Sequence, residues 1–180
     1  MKKLIKVIVG IGISGSGKTT YLKDYAKENQ YEYICVDDIR QELTGDAVDQ
    51  SRNTEAWNIA YDRLSGYMNQ SKNVVFDSTM VNGKLRKEMC AKIRSMAGGQ
   101  PCLIKGVVFN TPLDIALERN ASRDRKVPEG VIRIQNEMLY NNRPLGSDGF
   151  DSLQTYEDFD KEINKSAGIR ESGMHPAGIR

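Results

Sequence analysis

At 180 residues the chain has room for one full core and little for a second domain. Hydrophobic residues make up 39% and charged residues 28%; 26 basic against 24 acidic side chains leave a net charge of +2, which excludes a disordered chain and one that lives on non-specific polyanion binding. Cys35, Cys90 and Cys102 form no C-x-x-C pair, the only histidine is His175, and no apolar run reaches membrane length, so a disulfide framework, a structural zinc site, core histidine chemistry and a membrane partner are not expected.

Residues 4–11 are rich in Val and Ile and read as a buried strand. The run ends in a glycine loop rather than a signal cleavage site, which fits a reducing, cytoplasmic setting. A helix over 18–29, a strand over 31–36 and a short helix from Asp37 to near Gly45 follow. Trp57, Ala60, Tyr61, Leu64 and Met68 recur at helical spacing, so 54–69 reads as an amphipathic helix, capped by Asn53 or Thr54. Residues 73–77 form a third strand ending in an acid, 82–96 a basic helix, and 102–109 a fourth strand. The next helix starts at Thr111-Pro112, with the proline at its first position, and runs to about Ser122. Another starts at Pro128 and runs to about Asn141, and 150–156 reads as a short last strand. Strands alternating with helices imply an α/β fold with a parallel sheet covered on both faces. One domain is expected over 1–163, followed by a tail over 164–180 in which AGIR occurs twice.

The strongest motif is Gly12-Ile13-Ser14-Gly15-Ser16-Gly17-Lys18-Thr19, which fits G-x-x-x-x-G-K-[ST] between a strand and a helix. Glycines let the backbone curl so that successive N–H groups face phosphate oxygens, and the following helix adds its positive end. Lys18 would reach the β- and γ-phosphates of a nucleoside triphosphate, and the Thr19 hydroxyl would meet Mg²⁺. Gly12, Ser14, Gly15, Ser16, Gly17 and Thr20 complete the donor-binding set.

Ligands of open parallel sheets lie beyond the carboxyl ends of the strands. Asp37-Asp38 and Arg40 fall there after the second strand, and Asp77-Ser78-Thr79 after the third. Phosphoryl transfer to a hydroxyl needs a carboxylate to take the proton, and no histidine is available; Asp37 is the candidate base or, equally on spacing, a helix cap. Arg40 suits an anion on the acceptor, with Asp38 and Thr79 beside it. Asp77 either helps to hold Mg²⁺ or closes a turn. Arg119 and Arg123 share a helix face and Arg125 extends the group: an arginine lid at about 119–128, or a solvated helix end. Trp57 and Tyr61 read as core in preference to a base-stacking pair.

Gly12–Thr19, Val36-Asp37-Asp38-Ile39-Arg40, Phe76-Asp77-Ser78-Thr79, and Arg119-Asn120-Ala121-Ser122-Arg123 leading to Val127-Pro128 together resemble the 5′-hydroxyl polynucleotide kinases, most of all the kinase domain of the phage kinase–phosphatase type. The resemblance covers about residues 3–144. It implies a five-stranded parallel sheet of order 2-3-1-4-5 with helices on both faces. It also implies transfer of the ATP γ-phosphate, with Mg²⁺, to the 5′ end of DNA or RNA. Under it Lys18 and Thr19 act on the donor phosphates and Mg²⁺. Asp37 activates the 5′-hydroxyl, Arg40 holds the acceptor's 3′-phosphate, and Arg119 and Arg123 clamp the donor from the lid. Three departures stand out. The third-strand box reads D-S-T for D-T-N, the lid is about one residue short before Val127-Pro128, and no D-x-D-G-T phosphatase motif appears, so phosphatase activity is not expected. The phage enzymes assemble, so the resemblance allows a homo-oligomer, and it points to a separate ligase or phosphatase in a repair pathway. Two alternatives stay open: a phosphate-loop kinase of a nucleoside, nucleotide sugar or antibiotic, and a nucleotide-dependent switch without transfer.

Overall fold

The first strand sets the frame, because all but one of its residues are buried and only a central strand has both faces covered. The computed structural model describes residues 3–166. In chain order it holds β1 (Ile5–Ile11), α1 (Lys18–Glu28), β2 (Glu32–Cys35), α2 (Val36–Thr44), α3 (Asn53–Asn69), β3 (Val74–Asp77), α4 (Gly83–Ala97), β4 (Cys102–Val108), α5 (Leu113–Ser122), α6 (Glu129–Asn141), a 3-10 turn (Gly146–Asp148), β5 (Ser152–Thr155) and α7 (Tyr156–Ser166). All neighbouring strands are parallel, in the order β2-β3-β1-β4-β5. This is the expected doubly covered sheet.

Alternate side chains of β1 feed two cores. Ile5, Val7, Val9 and Ile11 pack with Ala56, Leu64 and Met68 of α3 and Met89 and Ile93 of α4. Ile8 packs on the opposite face with Leu22, Tyr25 and Ala26 of α1 and Phe159 of α7. A third, smaller cluster of Ile13, Val81, Ala116 and Ile132 joins α5 and α6 to the rest. No helix among the described residues is long and apolar enough to cross a membrane.

Several boundaries differ from the sequence reading, for physical reasons. Pro112 and Pro128 are caps and not first helical residues: their ψ angles of 145° and 132° are extended, while their carbonyls accept the first helical N–H bonds, from Ala116 and Ile132. Asn53 and Thr54 do not cap α3. Arg52 holds that position, and Asn53 Oδ1 instead accepts from Nε and Nη2 of Arg40 at 3.1 and 2.9 Å. The last strand is shorter than expected, because Tyr156 already begins α7. That helix was not foreseen; in an acidic stretch its apolar side is only Tyr156, Phe159 and Ile163. It runs three residues past the expected start of the tail; both AGIR segments and His175 lie outside the described residues.

One basic residue of α4 is not on the solvated face. Arg86 is 1% exposed and donates from Nε to Asp148 Oδ2 at 2.7 Å. It also donates to the carbonyls of Met80 at 2.9 Å and Asn142 at 2.7 Å. It thereby ties the β3–α4 loop to the end of α6. Removing one partner of a buried pair leaves the other charged and unsolvated. Arg86→Met should therefore cost about 3–5 kcal/mol, read as a lowered urea midpoint. A midpoint within error of the parent's would contradict this role.

Candidate active site

The loop between β1 and α1 curls as the motif requires. Gly15 and Gly17 hold φ angles of +83° and +86°, the left-handed region open to glycine. A Cβ on Gly15 would stand 2.2 Å from the Ala116 carbonyl oxygen, so α5 presses directly on the loop. Thr111 Oγ1 and Arg119 Nη1 both donate to the Ser16 carbonyl, at 3.0 and 3.3 Å, holding the outer side of the curl. The Gly12 N–H donates to the Thr79 carbonyl at 3.0 Å, which fixes the loop against the end of β3.

Inside the curl, Lys18 Nζ lies 3.2 Å from Asp77 Oδ1, with both side chains buried. Asp77 is the last residue of β3, not a turn residue, and its register opposite Cys35 brings it beside the end of β2. Tyr33 Oη donates to Asp77 Oδ2 at 2.8 Å. Burial pushes the Asp77 carboxyl up, but Lys18 and hydrogen bonds from Thr19, Tyr33 and Lys18 outweigh it and hold it below the usual carboxylate range. Burial first, then the Asp77 charge, pushes the neighbouring Cys35 thiol up to about 12, despite the Asp38 N–H it accepts. That thiol stays protonated and is no nucleophile.

These groups line a cleft with a volume of about 90 Å³, made by residues 13–20, Cys35, Asp37, Asp77, Ser78, Thr79, Arg123 and Arg125. Asp37 sits in the first turn of α2, half-buried, with Arg40 Nη1 on Oδ1 and Arg125 Nη2 on Oδ2, the latter at 2.9 Å. Arg40 is held on its other side by Asn53, which leaves one N–H each on Nη1 and Nη2. Asp38 points to solvent and does not line the cleft.

The lid arginines divide. Arg123 and Arg125 line the cleft, whereas Arg119 sits outside the curl on the Ser16 carbonyl. Asn120 organises this segment. It is 3% exposed, donates to the Val127 carbonyl at 2.8 Å and accepts from Val127 N–H and from Nε and Nη2 of Arg123. Burial and adjacent Arg125 lower the pKa of the Arg123 guanidinium, and Asp37 opposes them; it remains a cation.

Sequence reasoning missed a second depression beside the cleft, a groove of about 290 Å³. Its walls are mostly apolar and include Trp57, Met80, Leu85, Val131 and Ile134, and it shares Ser78 and Thr79 with the cleft. Trp57 is both core and wall, since its ring stacks on Phe76 with centroids 5.8 Å apart. Tyr61 is core, tilted against Phe76 at 6.2 Å. Gln135, also in the groove, reaches the loop and accepts the Ser14 N–H at 2.8 Å, so that N–H faces α6. The signal for the groove was apolar spacing at Val131, Ile134 and Met138 on α6, which periodicity alone reads as core.

Comparison with known proteins fits this geometry. The family profile AAA_33, described as an AAA domain, matches residues 7–141. The chain belongs to this family. Its fold is that of the phosphate-loop kinases. A chain of the Pnkp1/Rnl/Hen1 RNA repair complex superposes with a TM-score of 0.69 at 18% identity, covering 79% of this chain and 46% of that one. This chain thus spans less than half the length of that relative. A gluconokinase from Sinorhizobium meliloti gives 0.55 at 19% identity, covering 93% of each chain. Shikimate kinase from Acinetobacter baumannii, solved with shikimate, gives 0.52 at 16% identity, covering 96% of this chain and 97% of that one. No curated protein matches the sequence.

The buried carboxylate gives a pH prediction. A group whose folded pKa is depressed contributes stability that is full above its unfolded pKa and lost as pH falls through the folded one. Tyr33→Phe removes a bond to ionised Asp77 and raises its folded pKa. The stability lost in urea unfolding between about pH 7 and pH 3 should then be smaller than in the parent, because the loss starts at the same unfolded pKa and ends at a higher folded one. An acid loss equal to the parent's would separate Tyr33 from the Asp77 charge.

Proposed function

We propose that this domain transfers the γ-phosphate of ATP to the 5′-hydroxyl of a DNA or RNA end. The observation that carries the reading is the apolar groove opening onto the phosphate cleft through Ser78 and Thr79. A polyol acid such as shikimate or gluconate needs polar partners around most of its surface. Walls built from Trp57, Met80, Leu85, Val131 and Ile134 suit the flat face of a nucleobase. The fold likeness to a chain of an RNA repair complex supports the same reading, and with it a separate ligase or phosphatase acting on the same ends.

The roles follow from position. The curled N–H groups of residues 15–19 and Lys18 hold the donor's phosphates. Mg²⁺ fits beside them: Ser16 Oγ is buried without a hydrogen-bond partner, and the buried Asp77 carboxylate faces Lys18 Nζ and the Thr19 hydroxyl. Thr19 and Asp77 would hold it, few protein ligands being the rule for this ion. Bound there, it would offset charge on the transferring phosphoryl group. Asp37 takes the proton of the 5′-hydroxyl as its oxygen bonds to the γ-phosphorus; the bond from that phosphorus to the β,γ-bridging oxygen breaks and ADP leaves. Release of one arginine would turn an Asp37 oxygen toward that proton. Arg125 is the mobile partner, since the donor's phosphates compete for it. Arg123, aimed by Asn120, faces the phosphates, and the free N–H groups of Arg40 meet the acceptor's 3′-phosphate.

Labelled γ-phosphate from ATP-Mg²⁺ should appear on 5′-hydroxyl oligonucleotides in preference to free sugars, nucleosides or nucleotide sugars. Label confined to a metabolite would overturn the acceptor assignment. Asp37→Ala should abolish transfer and leave ATP affinity within about twofold; normal transfer would remove Asp37 as the base. Arg40→Ala should raise the acceptor KM by about tenfold or more with little change in the ATP KM. A rise confined to the ATP KM would contradict its placement.

A further inference from the structure

The groove carries two side-chain amides, Asn82 and Gln135, and the structure fixes which way each one faces. A backbone N–H can only donate, so the amide oxygen must be the atom that meets it. Gln135 Oε1 accepts the Ser14 N–H at 2.8 Å. Asn82 Oδ1 accepts the N–H groups of Lys84 and Leu85 at 2.9 and 3.3 Å, as the cap of α4. Both oxygens are thus committed to backbone. Gln135 Nε2 and Asn82 Nδ2 have no hydrogen-bond partner among the described residues. Neither amide can flip without setting an NH₂ against a backbone N–H. Apart from the hydroxyls of Ser78 and Thr79, the other side chains of the groove are apolar.

We infer that the groove selects its occupant by offering amide donors and no side-chain carbonyl oxygen. It takes a flat ligand whose edge is rich in hydrogen-bond acceptors. On the polynucleotide reading, on which this rests, the occupant is the base at the 5′ end. Uracil and thymine present two carbonyl oxygens, and guanine presents O6 and N7. Adenine carries an exocyclic amino group beside N7 and cytosine one beside N3, a donor that would meet a donor, whereas the amino group of guanine lies on the edge away from O6 and N7. The domain therefore prefers ends that begin with U, T or G over ends that begin with A or C. The selectivity resides in Gln135 and Asn82, outside the phosphate chemistry.

The test is phosphate transfer to four 5′-hydroxyl oligonucleotides that differ only in the terminal base, compared as kcat/KM for the acceptor. Ends with U, T or G should exceed those with A or C by about tenfold, the scale of one well-placed hydrogen-bond mismatch. Gln135→Glu keeps an oxygen for the Ser14 N–H and replaces the free NH₂ by an acceptor. Asn82→Asp does the same at the α4 cap, where a carboxylate is also favourable to the helix. Each variant should narrow or invert the preference. The ratio between ends is the readout, so a uniform loss of activity from the added charge cancels. Equal kcat/KM for all four ends, or a preference unchanged in both variants, would overturn the inference and leave the polynucleotide reading standing. Failure to phosphorylate any polynucleotide end would overturn both.

Discussion

An ammonium and a carboxylate lie together under the phosphate loop, Lys18 on the first turn of α1 and Asp77 at the end of β3. Neither would be stable alone at that depth, since an unpaired buried charge costs several kcal/mol. The pair holds the start of α1 over the carboxyl edge of the central strands, and Tyr33 braces it from β2. The pair fixes where the first turn of α1 meets the end of β3, and with it where Lys18 and Thr19 stand. It also holds positive charge at the bottom of the cleft. On the proposed reading, a triphosphate in the cleft would compete with Asp77 for Lys18 and leave the carboxylate beside Thr19, where a divalent cation would be favoured.

The upper side of the cleft is built differently. There Asp37 and Arg125 are partly exposed and paired with each other, Arg40 reaches Asp37 from a more buried position, and Arg123 is held by Asn120. Exposed ion pairs contribute little to stability, so exchanging one partner for a ligand phosphate costs little. The floor of the site is thus fixed by buried charge, and the roof is made of contacts that can be traded.

The alternation of strands and helices, the phosphate loop and the acids after β2 and β3 were legible because each has a local signature. Strand order was not; it came from resemblance, since residues alone do not say which parallel strand lies beside which. Which arginines face the cleft was also illegible. Arg119 and Arg123 share a helix face only if α5 continues through both, and it ends at Ser122, which sends Arg123 inward and leaves Arg119 on the Ser16 carbonyl. Asn53 looked like a cap because its chemistry suits one, yet a guanidinium from α2 outbid the helix for its oxygen. Arg86 looked solvated in a basic helix because its partner Asp148 lies 62 residues away. The groove was hidden for a related reason: its wall residues repeat with the same period as buried ones.

Arg86 has a consequence for motion. By gripping the carbonyls of Met80 and Asn142 it ties the β3–α4 loop to the first residue after α6. One bank of the groove is therefore part of the rigid body, anchored at a point where Met80 already holds a positive φ of 46°. The α5–α6 arm is attached at Pro112 and at Asn142, and between them it meets the body through the cluster around Ile13, Val81, Ala116 and Ile132, through Arg119 on the Ser16 carbonyl and through Gln135 on the Ser14 N–H. The same arm carries Val131, Ile134 and Gln135 to the groove and Arg123 and Arg125 to the cleft, so one unit walls both compartments.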